Sequence, residues 1–393
     1  MKVNFYTSQR EYHEKKNEFD TAIQSVIEKG NFILGDKVTE LERAIEEYTG
    51  IKHAIGVASG TDALVIASDI LGFSDGAEVI TSPFTFLAST SCIARHKGIP
   101  VFVDIDEETL QIDTTKIEEK ITDKTVGILP IHLFNQMGNM DEVMRIAKEH
   151  NLKVLEDAAE AFGMRWKGNG QNYIHSGGVG DFGVYSFFPT KTLGGYGDGG
   201  MIVTNDDKLA ELAKQYRVHG ASKKYHYDHI GYNSRLDSLQ AAVLGVKLKY
   251  IDEAIEKRRK VAQMYIDALS DCKEIRIPKI SGDQKGVYYV FNIIVENRDG
   301  LQEYLKEKEI GTSIYYPKPL HEQKCFDYLG YKEGDFPVAE KIAKKIIALP
   351  IYPEIKQEEV QFVCKTIRDF YKNNYYKIDK IKDQTTLHYL RVV

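Results

Sequence analysis

An α/β fold built on a mostly parallel sheet, followed by a smaller α+β region, is what this chain predicts. Three observations carry that expectation. Short runs that are apolar almost throughout recur at Ala54–Ala58, Glu78–Thr81, Val101–Asp104, Val126–Ile131 and Val154–Asp157. Stretches with helical spacing lie between them, at Asp62–Leu71, Leu87–His96, Thr115–Ile121 and Met140–His150. Beyond two long helices, Leu236–Ile251 and Ile255–Leu269, the alternation gives way to a mixture of strands and helices. Strands apolar on both faces need helices over both faces, which is the parallel arrangement.

The elements follow in order. Phe19, Ala22, Ile23, Val26 and Ile27 recur at helical spacing and Gly30 stops that helix; a second runs from Val38 to Tyr48. The strand–helix alternation then begins. In the later region Gly286–Glu296 reads as a strand, Leu301–Glu307 as a helix and Gly311–Tyr316 as a strand. Pro337–Ala348 and Glu358–Tyr371 read as helices, and Tyr375–Val393 as an extension of mixed basic and apolar character. The expected division is residues 1–250 as N-terminal helices and the large α/β domain, 251–374 as the small domain, and 375–393 as the extension.

Composition narrows the function. A net charge of −6 argues against general nucleic-acid affinity, which needs basic surface to displace phosphate counterions. No apolar run reaches membrane-spanning length, and MKVNFYTSQREYHEKK lacks the apolar middle of a signal peptide. Cys92, Cys272, Cys325 and Cys364 have neither zinc-like nor disulfide-framework spacing, so no metal is expected and a reducing cytoplasm fits.

Parallel sheets present ligand sites beyond the carboxyl ends of their strands. After the first strand, Ser59-Gly60-Thr61 opens a helix, offering unpaired amides to a phosphate or, more plainly, a hydroxyl cap. Glu156 and Asp157 close another strand, and a carboxylate there suits a protonated heterocyclic nitrogen or a helix cap. Pro83-Phe84-Thr85-Phe86 offers an aromatic face, with core packing the plainer reading of either ring. The stretch Asp181–Thr204 places Lys191 in an irregular turn, with Pro189 and five glycines between the apolar runs Gly183–Phe188 and Met201–Thr204. Taken alone Lys191 is a solvated loop lysine. Held where water is scarce, its pKa falls and the neutral amine can condense with an aldehyde. A phosphate seat, a stacking ring, a carboxylate for a pyridine nitrogen and an imine-forming amine together suit pyridoxal 5'-phosphate.

VASGTDAL (57–64), PFTFLAS (83–89), EDAAEAFG (156–163), YSFFPTKTLGGYGDGG (185–200) and GYNSRLDSLQAAVL (231–244) occur in that order. With these motifs, from about Gly30 to Tyr371, the chain resembles the DegT/StrS family of pyridoxal-phosphate-dependent nucleotide-sugar aminotransferases. The resemblance implies a fold-type-I transferase acting as a homodimer with active sites at the subunit interface. It makes Lys191 the Schiff-base lysine and proton shuttle, Asp157 the partner of the pyridine nitrogen and Phe86 the stacking ring. Gly60, Thr61 and Ser186 would hold the phosphate, and Asn233 would reach it from the neighbouring subunit. Glu160 stands near the cofactor hydroxyl, where many members carry glutamine or histidine, and Phe134-Asn135-Gln136 replaces Tyr-Gly-Gln. Arg235, Tyr316 and His321, with Tyr315, fall in stretches the family places near substrate; packing or a structural ion pair explains them equally well.

The implied reaction is a ping-pong transfer from L-glutamate to a nucleotide-linked keto-hexose, in deoxyamino-sugar biosynthesis for a surface glycan, such as lipopolysaccharide O-antigen, or an antibiotic. Val218–Asp237 is nearer in flavour to the branch that aminates C3 than to the C4 enzymes. Two alternatives share the scaffold: a keto-inositol (cyclitol) aminotransferase, and a non-catalytic regulator that binds ligand.

Overall fold

The computed structural model describes residues 1–170, 172–280 and 282–373; the Tyr375–Val393 extension lies outside them. Seven strands form the central sheet: β1 (His53–Val57), β2 (Glu78–Thr81), β3 (Ile99–Phe102), β4 (Thr125–Ile128), β5 (Lys153–Asp157), β6 (Phe182–Ser186) and β7 (Gly200–Thr204). Their order is β1-β7-β6-β5-β4-β2-β3. Four neighbouring pairs are parallel, and β7 alone runs against both of its neighbours, β1 and β6. The mostly parallel sheet expected from the sequence is present.

Successive strand residues point to opposite faces, and two cores grow from that alternation. Ile55, Val79, Leu155, Val184 and Ile202 enter one core, with the helix Gly60–Ile70. Ala54, Ile80, Val154, Tyr185 and Met201 enter the other, with the helices Asp36–Thr49 and Met140–Glu149. A third core belongs to a small antiparallel sheet: β8 (Ile275–Arg276), β9 (Phe291–Val295) and β10 (Ile346–Leu349), in the order β8-β9-β10. The helices Ile251–Leu269 and Gln357–Lys372 cover one face of it.

Several expected elements differ. Thr115–Ile121 is not a helix but two short 3-10 turns, Thr114–Lys116 and Glu118–Lys120. Asp113 caps the first through the Thr115 amide, and so short a segment with one buried apolar residue, Ile117, cannot propagate. Gly311–Tyr316 is not a strand: Ser313 makes a single bridge to Ala348, and the next residues turn toward a cavity. Pro337–Ala348 divides into a helix, Pro337–Ala343, and β10. Asp104, expected to end β3, instead caps that helix by accepting the Val338 and Ala339 amides at 3.0 Å each. The helix Asp207–Tyr216, missed from the sequence, is capped by Asp206 through the amides of Lys208 and Leu209. Among the described residues no helix is long and apolar enough to cross a membrane.

Candidate active site

The carboxyl ends of β1, β5 and β6 open onto one cavity of about 620 Å³. Ser59, Gly60, Thr61, Phe86, Asp157, Glu160, Ser186, Lys191 and Tyr316 all line it. The cofactor residues expected from a single chain are therefore together; Asn233, expected from the neighbouring subunit, does not line the cavity.

Each is set by local structure. Ser59 accepts the Asp62 amide at 3.0 Å and so caps the helix Gly60–Ile70, leaving the Gly60 and Thr61 amides at its open end. Gly60 is required: a Cβ there would stand 2.6 Å from the Cβ of Ser186. The reversed strand β7 closes the cradle, because a Cβ on Gly200 would stand 2.4 Å from the Ser59 carbonyl. Two strands and a helix end thus converge on a small anion-sized seat whose donors are amides and a serine hydroxyl.

Asp157 and Glu156 are adjacent on β5 and do different things. Glu156 is fully buried, accepts the amides of Gly177, Val179 and Gly180, and takes a hydrogen bond from His132 at 2.8 Å. It is a structural anchor. Asp157 reaches the cavity, its carboxylate accepting the Ala159 amide at 3.1 Å and the Ser89 hydroxyl at 2.7 Å. A carboxylate only accepts, so Ser89 must donate to it. Thr85, 2.9 Å from Ser89, must then donate in turn. This one-way chain fixes the Asp157 rotamer. The two phenylalanines of the PFTF stretch separate: Phe84 is core, whereas Phe86 is 58% exposed and faces the cavity.

Lys191 Nζ lies 3.4 Å from Glu160 Oε1 and 4.3 Å from the centroid of the Tyr289 ring. The same Glu160 oxygen is 3.4 Å from the Tyr316 hydroxyl, and the other, Oε2, is buried without a partner. Burial is the largest single influence and works to discharge Lys191, as expected, but the Glu160 charge and hydrogen bond, Tyr289 and Asp157 together outweigh it and hold the amine above the ordinary lysine value. That corrects the expected fall. Burial also pushes the Glu160 carboxyl up, against the pull of Lys191. Both shifts keep a proton within the pair. Glu160→Gln removes the charge that raises the amine. The pH dependence of cofactor capture by the apoprotein, trapped with borohydride at Lys191, should then shift to lower pH. An unchanged profile would count against the coupling.

Other expected residues lie elsewhere. His321 is buried against Glu340, 3.0 Å away, and against the Phe336 ring; it does not line the cavity. Arg235 is partly buried and Asn233 exposed, and neither lines the cavity within one chain. Tyr316 does, with Tyr315. Sequence reasoning missed Ser89, Thr85 and Tyr289. Ser89 stood inside the quoted PFTFLAS motif, one helical turn after Thr85, and that spacing was the available signal.

The family pattern described as the DegT/DnrJ/EryC1/StrS aminotransferase family matches residues 13–368. The chain belongs to that family. Pyridoxal phosphate is accordingly its cofactor and transamination its reaction class. Among relatives of this aminotransferase, the "Pleiotropic regulatory protein" of Geobacillus stearothermophilus is 45% identical, over 95% of this chain and 100% of that one. The Pseudomonas aeruginosa "UDP-2-acetamido-2-deoxy-3-oxo-D-glucuronate aminotransferase" is 38% identical, over 90% and 96%. The solved structure of Streptomyces venezuelae DesV superposes with a TM-score of 0.90 at 34% identity, covering 94% of this aminotransferase and 98% of DesV. The fold-type-I reading of the sequence holds.

Proposed function

We propose that this aminotransferase moves an amino group from L-glutamate to a nucleotide-linked keto-hexose, with the 3-keto position favoured. The observation that carries the reading is Lys191, standing in the cavity between Glu160 and the Tyr289 ring, with Asp157 and the Gly60–Ser186 cradle on the same walls. The Pseudomonas relative, named for a 3-oxo sugar nucleotide, supports the choice of position. The regulatory name of the Geobacillus relative favours a second reading, a ligand-binding regulator, but every chemical role has a residue in place here.

In this reading Gly60, Thr61 and Ser186 hold the cofactor phosphate, Phe86 covers the ring, and Asp157 holds a proton on the ring nitrogen. Bound there, pyridoxal phosphate supplies an aldehyde for amine capture and a sink for carbanion charge. Lys191 anchors it and, once released, moves a proton to and from the substrate carbon. Glu160 and Tyr316 stand where that proton can be stored. The Ser89–Thr85 chain keeps Asp157 aimed at the cavity. Asn233 completes the phosphate seat across a twofold homodimer interface. Phe32, Ile33, Phe188 and Ile230, between 43% and 95% exposed, supply apolar surface for such an interface. The domain division at residues 250/251, a cytoplasmic location and a substrate contact from Arg235 belong to the same proposal.

Purified holoenzyme assayed with L-glutamate against 3-keto and 4-keto nucleotide sugars and a keto-inositol tests it. Amination of the 3-keto sugar nucleotide is expected. Preference for the 4-keto sugar would overturn the position, preference for keto-inositol the substrate class, and cofactor binding with no amination the transferase reading.

A further inference from the structure

On the far side of the Leu133–Gln136 loop from the candidate active site lies a second cleft, of about 500 Å³. Its apolar walls include Phe134, Ile266, Ile275 and Val290. Three polar side chains that line it each leave at least one buried atom unpaired. Asn292, on β9, is only 5% exposed, yet neither its carboxamide oxygen nor its nitrogen has a hydrogen-bond partner. Arg276, on β8, donates through one terminal nitrogen to the Glu107 carbonyl at 2.8 Å, while its other terminal nitrogen is buried and unpaired. Asn135, also 5% exposed, gives its oxygen to the Tyr288 amide at 2.7 Å, and its nitrogen finds no acceptor at bonding geometry.

An unpaired buried amide is expensive, and native proteins leave few of them without a use. Asn292 owes its position to strand alternation. Phe291 and Ile293 fill the core beneath the helices, so Asn292 lies on the other face of β9, and it lines the cleft. An alanine or valine would pack there at no polar cost. The neighbouring carboxylates are already engaged: Glu107 pairs with Lys341 at 2.6 Å and Glu108 with Lys279 at 3.3 Å. Arg276, which lines the cleft, therefore keeps a buried N–H edge that neither carboxylate takes up.

We propose that this cleft is a second ligand site, for a small organic carboxylate that carries a hydrogen-bond donor of its own and a short apolar body. The carboxylate meets the N–H groups of Arg276 and the carboxamides, as planar donors favour. The ligand's donor meets Oδ1 of Asn292, and its body lies on the isoleucine and phenylalanine walls. The site is separate from the transaminase chemistry and does not rest on that reading.

The test uses the holoenzyme and 2-hydroxy-4-methylpentanoate, which has these features and no amino group to donate. Calorimetry should show one equivalent bound per chain, and a crystal structure should place it between Arg276 and Asn292. Asn292→Leu and Arg276→Gln should each weaken binding at least about tenfold, with KM for the amino donor unchanged. Asn292→Leu should also raise Tm without the probe, because it removes the unpaired amide. Should Arg276→Gln fold poorly, Asn292→Leu decides alone. No binding, binding unchanged in the variants, density only beside Lys191, or an adventitious additive only, seen in crystals without binding in solution, would each overturn the proposal.

Discussion

Lys191→Ala is expected to lower turnover by at least about four orders of magnitude, because it removes the covalent anchor and the proton carrier in one change. Glu160 then loses its cation 3.4 Å away and keeps only the Tyr316 hydroxyl. A buried carboxyl left this way takes up a proton, so the variant loses both members of the pair as working acid and base. The proposed phosphate seat at Gly60 and Ser186 is untouched, and cofactor should still bind, without a borohydride-stable link. Added methylamine should restore part of the half-reaction with glutamate by replacing the missing amine. Near wild-type turnover in the variant would remove Lys191 from the chemistry.

Asp157→Asn should cost about 10²–10³-fold in kcat while leaving the fold and the phosphate seat intact. The amide keeps one acceptor oxygen for Ser89, whose hydroxyl lies 2.7 Å from the carboxylate. It cannot keep a proton on a ring nitrogen by charge. The loss should therefore appear in kcat rather than in cofactor affinity, with a changed absorbance band for the bound cofactor. Asp157→Glu should recover part of the charge but not its placement, since Ala159 and Ser89 hold the shorter side chain. An Asn variant with wild-type kcat and spectrum would exclude the role.

Much of this site was legible because its residues sit at places dictated by the backbone. Gly60, Asp157 and Ser186 close or follow buried strands, and buried strands announce themselves by apolar runs. Lys191 stood out through its glycine-rich surroundings. The sign of its pKa shift was not legible, because it depends on Glu160, thirty-one residues upstream and brought alongside only by tertiary packing. Tyr289 was hidden for the same reason: in GVYYVFNII nothing separates a tyrosine under the lysine from one in a core. His321 misled in the opposite direction, its place beside YYPKPL suggesting substrate while Glu340 claims it in the fold. At Gly311–Tyr316 local β-propensity favoured a strand, but only Ser313 bridges to the edge strand β10, at Ala348, and the next residues line the cavity instead.

The lone reversed strand has a consequence for how this enzyme is made. His53 pairs with Thr204 and Val57 with Gly200, so the proposed phosphate cradle is assembled from segments that leave the ribosome far apart in time. A nascent chain that has β1 through β6 but not yet Gly200–Thr204 has no third wall to that cradle. Contacts of such sequence separation form slowly, which makes coenzyme capture a late event in biogenesis and a gauge of completed closure.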